Sequence, residues 1–134
     1  MLRRILLALA AALSLSLTAV ADGESLATLV GTSWRLTQLD DESVAPAVTA
    51  TLVISADSIG GNGGCNTYGG NIAATPTGID ITEVFSTLMA CDNLEQEQAF
   101  LAALEAADAF AMAAGNLQLL ENGTVLAELA PANQ

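Results

Sequence analysis

The sequence predicts an α+β domain in which short antiparallel strands form a sheet and one helix packs against it. Two observations support this class. Short apolar runs separated by glycine and polar turn residues occupy residues 31–90, and they return after residue 109. Between these two regions lies a single segment of helical periodicity. The sheet must then bury one of its faces, either under itself or under the helix.

The strands are predicted from alternating or β-branched apolar runs. In the first strand, Thr32 to Leu39, Trp34 and Leu36 lie on one side and polar residues on the other. Asn122-Gly123 is a strong signal for a type I′ hairpin turn near the end of the chain. The remaining strands are predicted at residues 51–55, 71–74, 79–81, 84–90, 110–113, 117–120 and 124–129.

The helix is predicted to run from about Asn93 to about Ala106. Asp92 is a candidate cap with Glu95 three residues later, and acidic residues favour the positive end of the helix dipole. We expect one face to be buried and the opposite face to be wet. The predicted buried residues are Leu94, Phe100, Leu101 and Leu104, and the predicted exposed residues are Glu95, Gln96, Gln98 and Glu105.

The first residues have the pattern of an export signal. Arg3 and Arg4 precede an apolar run from Ile5 to Val20, and Ala19-Val20-Ala21 fits a small-residue cleavage site. The apolar run is shorter than the roughly 20 residues of a membrane-spanning helix. We therefore predict a cleaved signal peptide at 1–21, a short tether at 22–28 and one domain at 29–130. The mature protein would be periplasmic or secreted, with no stable membrane span.

The charge of the processed chain limits its partners. All 15 acidic residues follow Ala21, whereas Arg35 is the only basic residue that does, so the processed chain carries a net charge of −14. Nucleic acids and anionic lipid surfaces bind through Lys and Arg, and this surface would repel them. We expect an acidic, soluble protein with no nucleic-acid partner.

The two cysteines, Cys65 and Cys91, are predicted to form a disulfide because export delivers thiols to an oxidising compartment. Catalytic thiolates and metal ligands are the alternatives. A reactive thiolate would have only Arg35 as a positive group to lower its pKa. Zinc is usually bound by about four nitrogen or sulfur ligands, and this chain offers two.

Side chains suited to catalysis are scarce, because the processed chain contains no histidine and no lysine. The glycine-rich stretch Gly60 to Gly64 has no Lys and Ser/Thr after it, as a phosphate-binding loop would require, and it favours a turn or bulge. Asp40-Asp41-Glu42 lacks the pattern of a calcium loop and could be at most a weak cation site. We predict no cofactor and no catalytic or metal-binding residues.

Paired carboxylates are the remaining catalytic possibility, because glycoside hydrolysis needs only two of them. The candidate pairs are Asp80 with Glu83 and Glu95 with Glu97. Solvated strand ends and favourable acids at a helix N-terminus explain these residues more simply.

Several segments taken together resemble the META domain, as in HslJ-like heat-shock proteins. They are Gly31 to Leu36 (GTSWRL), Gly63 to Gly70 (GGCNTYGG), Thr87 to Cys91 (TLMAC), the helix residues from Glu97 onward, and Leu117 to Leu119. The similarity covers about residues 29–129. It implies a barrel-like sheet with one packed helix, usually in exported bacterial proteins linked to stress response and without an established catalytic activity.

The resemblance also implies which residues carry the motif. The two cysteines of the family correspond to Cys65 and Cys91. Asn66 and Tyr68 could shape the turn after the glycine-rich loop or contact a ligand, and the turn favours the structural role. The full set of motif residues is Trp34, Gly64, Asn66, Tyr68, Gly69, Thr87, Glu97, Phe100 and Leu104.

These observations favour an exported, noncatalytic module for envelope stress tolerance or interaction, a monomer whose partner is an envelope or secreted protein. The alternative is a secreted inhibitor of a protease or glycosidase, in which residues 40–48 or 60–64 enter the active site of the enzyme. A carboxylate-based hydrolase is the third hypothesis.

Overall fold

The computed structural model describes residues 25–45 and 47–132, which form one curled antiparallel sheet of nine strands with one α-helix. The predicted signal peptide, residues 22–24 and Pro46 lie outside the described residues. The strands are β1 (Thr32–Leu39), β2 (Glu42–Ser43), β3 (Thr51–Ile54), β4 (Ser58–Asn62), β5 (Thr67–Thr75), β6 (Gly78–Ser86), β7 (Ala109–Ala113), β8 (Asn116–Glu121) and β9 (Thr124–Pro131). Helix α1 spans Leu94–Ala106 and connects β6 to β7.

The strand order is β6-β5-β4-β3-β1-β9-β8-β7, with β2 paired to β1. The sheet curls until its two end strands approach each other. The N–H of Ile79 in β6 donates to the carbonyl of Asp108, directly before β7, at 3.0 Å. The sheet does not close into a full barrel. The predicted α+β class with a barrel-like sheet and one packed helix is confirmed.

The core lies inside the curl, and α1 packs against β6, β8 and β9. Leu36, Leu117 and Leu129 contribute inward side chains from the middle of the sheet, each at most 2% exposed. Phe100 and Leu104 of α1 are fully buried against them. A single hydrophobic core therefore joins the helix to the sheet, and no helix among the described residues is long and apolar enough to cross a membrane.

The chain enters this core earlier than the sequence predicts. Leu26–Leu29 form a short 3-10 helix, and the Ser25 side chain accepts a hydrogen bond from the N–H of Ala27 at its start. Leu26 and Leu29 are both buried in the core. Residues 26–28, which the sequence places in a tether, are thus part of the folded unit.

Three two-residue turns connect strand pairs with positive φ at both positions, as type I′ turns require. They are Asp40-Asp41, Ala114-Gly115 and Asn122-Gly123. The predicted Asn122-Gly123 hairpin is confirmed. The β7–β8 turn falls at Ala114-Gly115, and Asn116, which lies between the predicted strands 110–113 and 117–120, begins β8.

A bulge in β6 changes the direction of its last side chains. Ile79 and Ile81 face the core, so simple alternation would also turn residue 85 inward. Gly69 pairs with Phe85 and Asn71 pairs with Thr82, so β6 contains one extra residue here. As a result, Val84 packs on the core and Phe85 is 69% exposed.

Helix α1 begins at Leu94 and ends at Ala106, close to the predicted limits. The predicted cap is wrong, because Asn93 occupies the N-cap position and makes no side-chain cap hydrogen bond. The predicted burial is confirmed for Phe100 and Leu104. Leu94 and Leu101, predicted buried, and Gln96, predicted exposed, are all half-buried. The prediction omits two buried residues, one of which is Ala103. Glu97 is also buried on this face of the helix.

Replacing Ala114 by Asn is expected to stabilise the protein by about 0.5–1 kcal/mol. Ala114 has a φ of 51°, which strains a residue with a Cβ atom, and Asn tolerates this region better. The free energy of unfolding from urea titration measures the effect. Ala73→Asn, at an exposed position within β5, is the matched control and should be neutral or slightly destabilising. Equal effects of the two substitutions would contradict the turn argument.

Candidate functional site

A buried carboxylate lies where several of the motif segments meet. Glu97 is in the first turn of α1, three residues before Phe100 and seven before Leu104, so it faces the core. Its side chain is only 1% exposed. A buried charge of this kind requires hydrogen bonds, because burial without them costs several kcal/mol.

The hydrogen bonds to Glu97 come from the segment that follows the glycine-rich loop. Its Oε1 accepts the backbone N–H groups of Cys65, at 3.0 Å, and of Asn66. Its Oε2 accepts Nδ2–H of the Asn66 side chain at 2.6 Å. The carboxylate therefore fastens the start of the helix to the turn that leads into β5.

The ionised form of Glu97 is favoured in spite of its burial. Burial alone would raise the pKa of this carboxyl. The hydrogen bonds from the Asn66 side chain, the Asn66 backbone and the Cys65 backbone outweigh that effect and hold the pKa below its ordinary value. Glu97 is thus a charged structural acceptor at neutral pH.

Asn66 extends the network from the helix to the segment after β6. Its Oδ1 accepts the N–H of Met89 at 2.6 Å and the Thr87 hydroxyl at 2.9 Å. Its Nδ2 also donates to the carbonyl of Met89 at 3.2 Å. Both amide hydrogens and both acceptor positions of the side chain are used within the protein. We call Glu97, Asn66, Thr87 and the Met89 backbone the polar hub.

The glycine-rich loop lies directly against the polar hub. A Cβ atom at Gly63 would come within 2.6 Å of the Glu97 side chain, so only glycine fits there. Gly64 has a φ of +117°, a conformation that side chains rarely adopt. The stretch is thus a close approach of backbone to a buried carboxylate.

Cys65 and Cys91 form the predicted disulfide, with Cα atoms 5.9 Å apart. Cys65 also supplies one of the backbone N–H groups that bind Glu97. The disulfide joins the turn that leads into β5 to the segment before α1. It closes the same loop that the polar hub holds by hydrogen bonds.

Tyr68 connects the polar hub region to the core. Its ring contacts Phe100 edge to face, with centroids 5.9 Å apart. Its hydroxyl donates to the carbonyl of Thr51 at 2.6 Å. Burial raises the pKa of this hydroxyl above its ordinary value, so it remains a donor.

The other residues of the predicted motif have separate positions. Trp34 is buried in β1, and its Nε1–H donates to the Thr32 hydroxyl at 2.8 Å. Gly69 in β5 lies beneath the ring of Phe85, and a Cβ atom there would come within 2.7 Å of that ring. The structure thus brings Cys65, Asn66, Thr87, Cys91 and Glu97 together, whereas Trp34 packs elsewhere on the core.

Comparison with protein families finds the META domain over residues 27–133. The chain belongs to the META domain family. The match includes the disulfide, the polar hub, the helix and the closing hairpin. No curated protein matches the chain.

Solved structures show the same fold. An NMR structure of a protein from Burkholderia xenovorans has a TM-score of 0.67 and 24% identity, covering 84% of this chain and 92% of that one. A second NMR structure has a TM-score of 0.63 and 16% identity, covering 78% of this chain and 93% of the other. At these identities the likeness shows a shared fold and nothing more.

Beside the polar hub, this META domain exposes a short apolar segment. Phe85 is 69% exposed, Leu88 is 95% exposed and Met89 is 58% exposed. Five large apolar side chains are exposed among the described residues, and three of them lie here. We call residues 85–90 the apolar segment.

The backbone of the apolar segment is fixed at several points. The N–H of Thr87 donates to the carbonyl of Thr67 at 3.0 Å. Asn66 holds both the N–H and the carbonyl of Met89. The disulfide at Cys91 fixes the end of the segment. Its side chains therefore project from a backbone that the META domain holds in place.

A second feature is an acidic cavity of about 460 Å³ between the β1–β2 turn, residues 44–48 and the start of α1. Four carboxylates line it, those of Asp40, Glu42, Asp92 and Glu95, together with apolar side chains such as Val44. Such a lining disfavours anions. No group of three or more acidic or cysteine side chains within the described part of the chain has the geometry to ligate a metal ion.

The acidic residues considered as catalytic pairs have different surroundings. Glu97 is buried in the polar hub, whereas Glu95 is exposed at the cavity. The Glu83 carboxylate lies at the β6 bulge and accepts a hydrogen bond from the Asn71 side chain. Asp80 is exposed on β6.

Sequence reasoning did not find two features of this site. The helix dipole accounts for an acidic residue at Glu97, although the spacing of Glu97, Phe100 and Leu104 places the three residues on one face. The apolar pattern of residues 84–90 predicts one extended strand, whereas β6 ends at Ser86. The exposure of Phe85 depends on the bulge, and no residue pattern in the sequence indicates where that bulge falls.

Glu97→Gln is expected to lower the free energy of unfolding by about 2–4 kcal/mol at pH 7. The NH₂ group of the new amide would face N–H donors of Cys65 or Asn66, so at least one hydrogen bond would be lost. If the amide of Asn66 rotated to compensate, its hydrogen bonds with Met89 and Thr87 would be lost. Urea titration measures the change. Glu95→Gln, on the same helical turn but exposed, is the control and should change stability by less than about 0.5 kcal/mol.

The same pair of variants has a pH signature. The folded pKa of Glu97 is lowered, so its ionisation stabilises the wild type above the pKa of the unfolded carboxyl, about 4.3. That contribution is lost as the pH falls through the lower folded pKa. The difference between wild type and Glu97→Gln should therefore be constant from pH 6 to 8 and shrink below about pH 4. A difference that grows in acid would contradict this role.

Proposed function

We propose that this META-domain protein is an exported, noncatalytic interaction module that binds another protein of the cell envelope or the extracellular space through its apolar segment. The observation that supports the proposal is the exposure of Phe85, Leu88 and Met89 on a fixed backbone. The motif residues beneath them have their hydrogen bonds satisfied within the fold, which favours a supporting role for Asn66.

Energetics favours a binding role for these side chains. Covering a leucine of this exposure stabilises a complex by about 1.5–3 kcal/mol. Clustered exposed apolar side chains mark interaction sites in soluble proteins. Because the backbone is already ordered, a partner would not need to fix it on binding, and the affinity would gain accordingly.

The charge around the apolar segment favours a protein partner over a membrane. Glu83 precedes the segment and Asp92 follows it, and both are exposed. An anionic bilayer would be repelled by these carboxylates and by the net charge of the processed chain. The partner that fits best has an apolar pocket with a neutral or basic rim.

Export is supported by two independent features. The first 21 residues have the pattern of a signal peptide. The disulfide is of a type that persists in oxidising compartments. The stress-tolerance role rests on the resemblance to HslJ-like proteins described above.

Leu88→Asp is expected to abolish partner binding without lowering stability, because the side chain of Leu88 is 95% exposed. The test is site-specific photocrosslinking in the native cell envelope, with the crosslinker at position 89 of the full-length protein and, in a separate variant, at position 30. Val30→Asp, at another exposed apolar residue, is the control and should leave adduct formation unchanged. Adducts that form equally at position 30, or that survive Leu88→Asp, would count against the proposal.

A further inference from the structure

We infer that Thr87 to Ala90 form an inhibitory loop that enters the active-site cleft of a secreted endopeptidase, with Leu88 in an apolar specificity pocket. This inference rests on the proposed binding role of the apolar segment and names its partner class. It places the contact in a different part of the chain from the loops that the sequence suggests for an inhibitor.

The shape of the loop fits a cleft. Residues 87–91 adopt neither helix nor strand. Leu88 is 95% exposed, so almost the whole side chain projects from the surface. A projecting apolar side chain requires a concave partner, and the primary specificity pocket of an endopeptidase is a concavity for one side chain.

The main chain of the loop offers unused hydrogen-bonding groups. Asn66 binds the N–H and carbonyl of Met89 from beneath. Among the hydrogen bonds between described residues, none involves the N–H or carbonyl of Leu88 or Ala90. Extended ligands bind protein edges through their main-chain groups while side chains enter pockets. The residues on both sides of Met89 are thus free to pair with a cleft.

The support of the loop explains inhibition without rapid cleavage. Thr87 is held by Thr67 and Asn66, and the other side is tied to Cys65 by the disulfide at Cys91. Both ends would stay in place even if a bond between them were cut. A preorganised loop of this kind binds tightly because little order is lost on association.

Leu88 determines the class of enzyme. Its uncharged side chain suits the hydrophobic slot of chymotrypsin-like and subtilisin-like enzymes. In a trypsin-like pocket it would leave a buried aspartate unpaired, which is strongly unfavourable. The inference is therefore specific for endopeptidases that cleave after apolar residues.

Inhibition constants of the full-length protein, exported and purified with its disulfide intact, test this inference against chymotrypsin, subtilisin and trypsin. We expect inhibition of at least one of the first two and none of trypsin. Leu88→Gly should weaken inhibition about 10- to 100-fold. Leu88→Lys should lose inhibition of chymotrypsin and gain inhibition of trypsin, whereas Val30→Lys should change neither.

The transfer of specificity by Leu88→Lys is decisive, because it is a gain that unfolding cannot produce. Thermal unfolding of each variant confirms that the fold is intact. Absence of inhibition by the wild type, inhibition that does not depend on residue 88, or rapid cleavage after residue 88 would each overturn the inference. If crosslinking in the envelope still depends on Leu88 while inhibition fails, the interaction module stands and the endopeptidase does not.

Discussion

The buried carboxylate of Glu97 is the interaction on which the other features of the site depend. A charge removed from water must recover its lost solvation from hydrogen bonds, and two backbone N–H groups and one side-chain amide supply them. These donors all belong to Cys65 and Asn66. The turn at Cys65 and Asn66, although distant in sequence, therefore orients the helix. The helix holds that turn in place through the same hydrogen bonds.

The requirement to satisfy Asn66 carries the constraint from the core to the surface. Once its amide group binds Glu97, its remaining hydrogen-bonding capacity meets the Thr87 hydroxyl and the Met89 backbone. The disulfide links the same two segments covalently, from Cys65 to Cys91. The buried charge and the exposed apolar segment are thus connected by one hydrogen-bond network. This network keeps the backbone of the apolar segment ordered while its side chains remain exposed.

The features predicted from sequence are those determined by local physics. The Asn122-Gly123 turn follows from the φ values that its residues tolerate, and the limits of α1 follow from helical periodicity. The sequence around Glu97 indicates only an acid favoured by the helix dipole, because the partners of Glu97 are about 31 residues away in the chain. The exposure of Phe85 depends on the β6 bulge, which shifts the alternation by one residue through pairing with β5. Such register shifts are decided by tertiary contacts.

The polar hub also separates the stability of the fold from the chemistry of the exposed surface. Asn66 contacts the apolar segment only through the Thr87 hydroxyl and the backbone of Met89, so the side chains at positions 88 and 89 take no part in holding the loop. Their burial in a partner would cost the fold nothing, and their replacement would alter the surface without disturbing Glu97. A domain built in this way can keep one supporting network while the exposed residues change. Specificity would then reside in a few side chains that folding does not constrain.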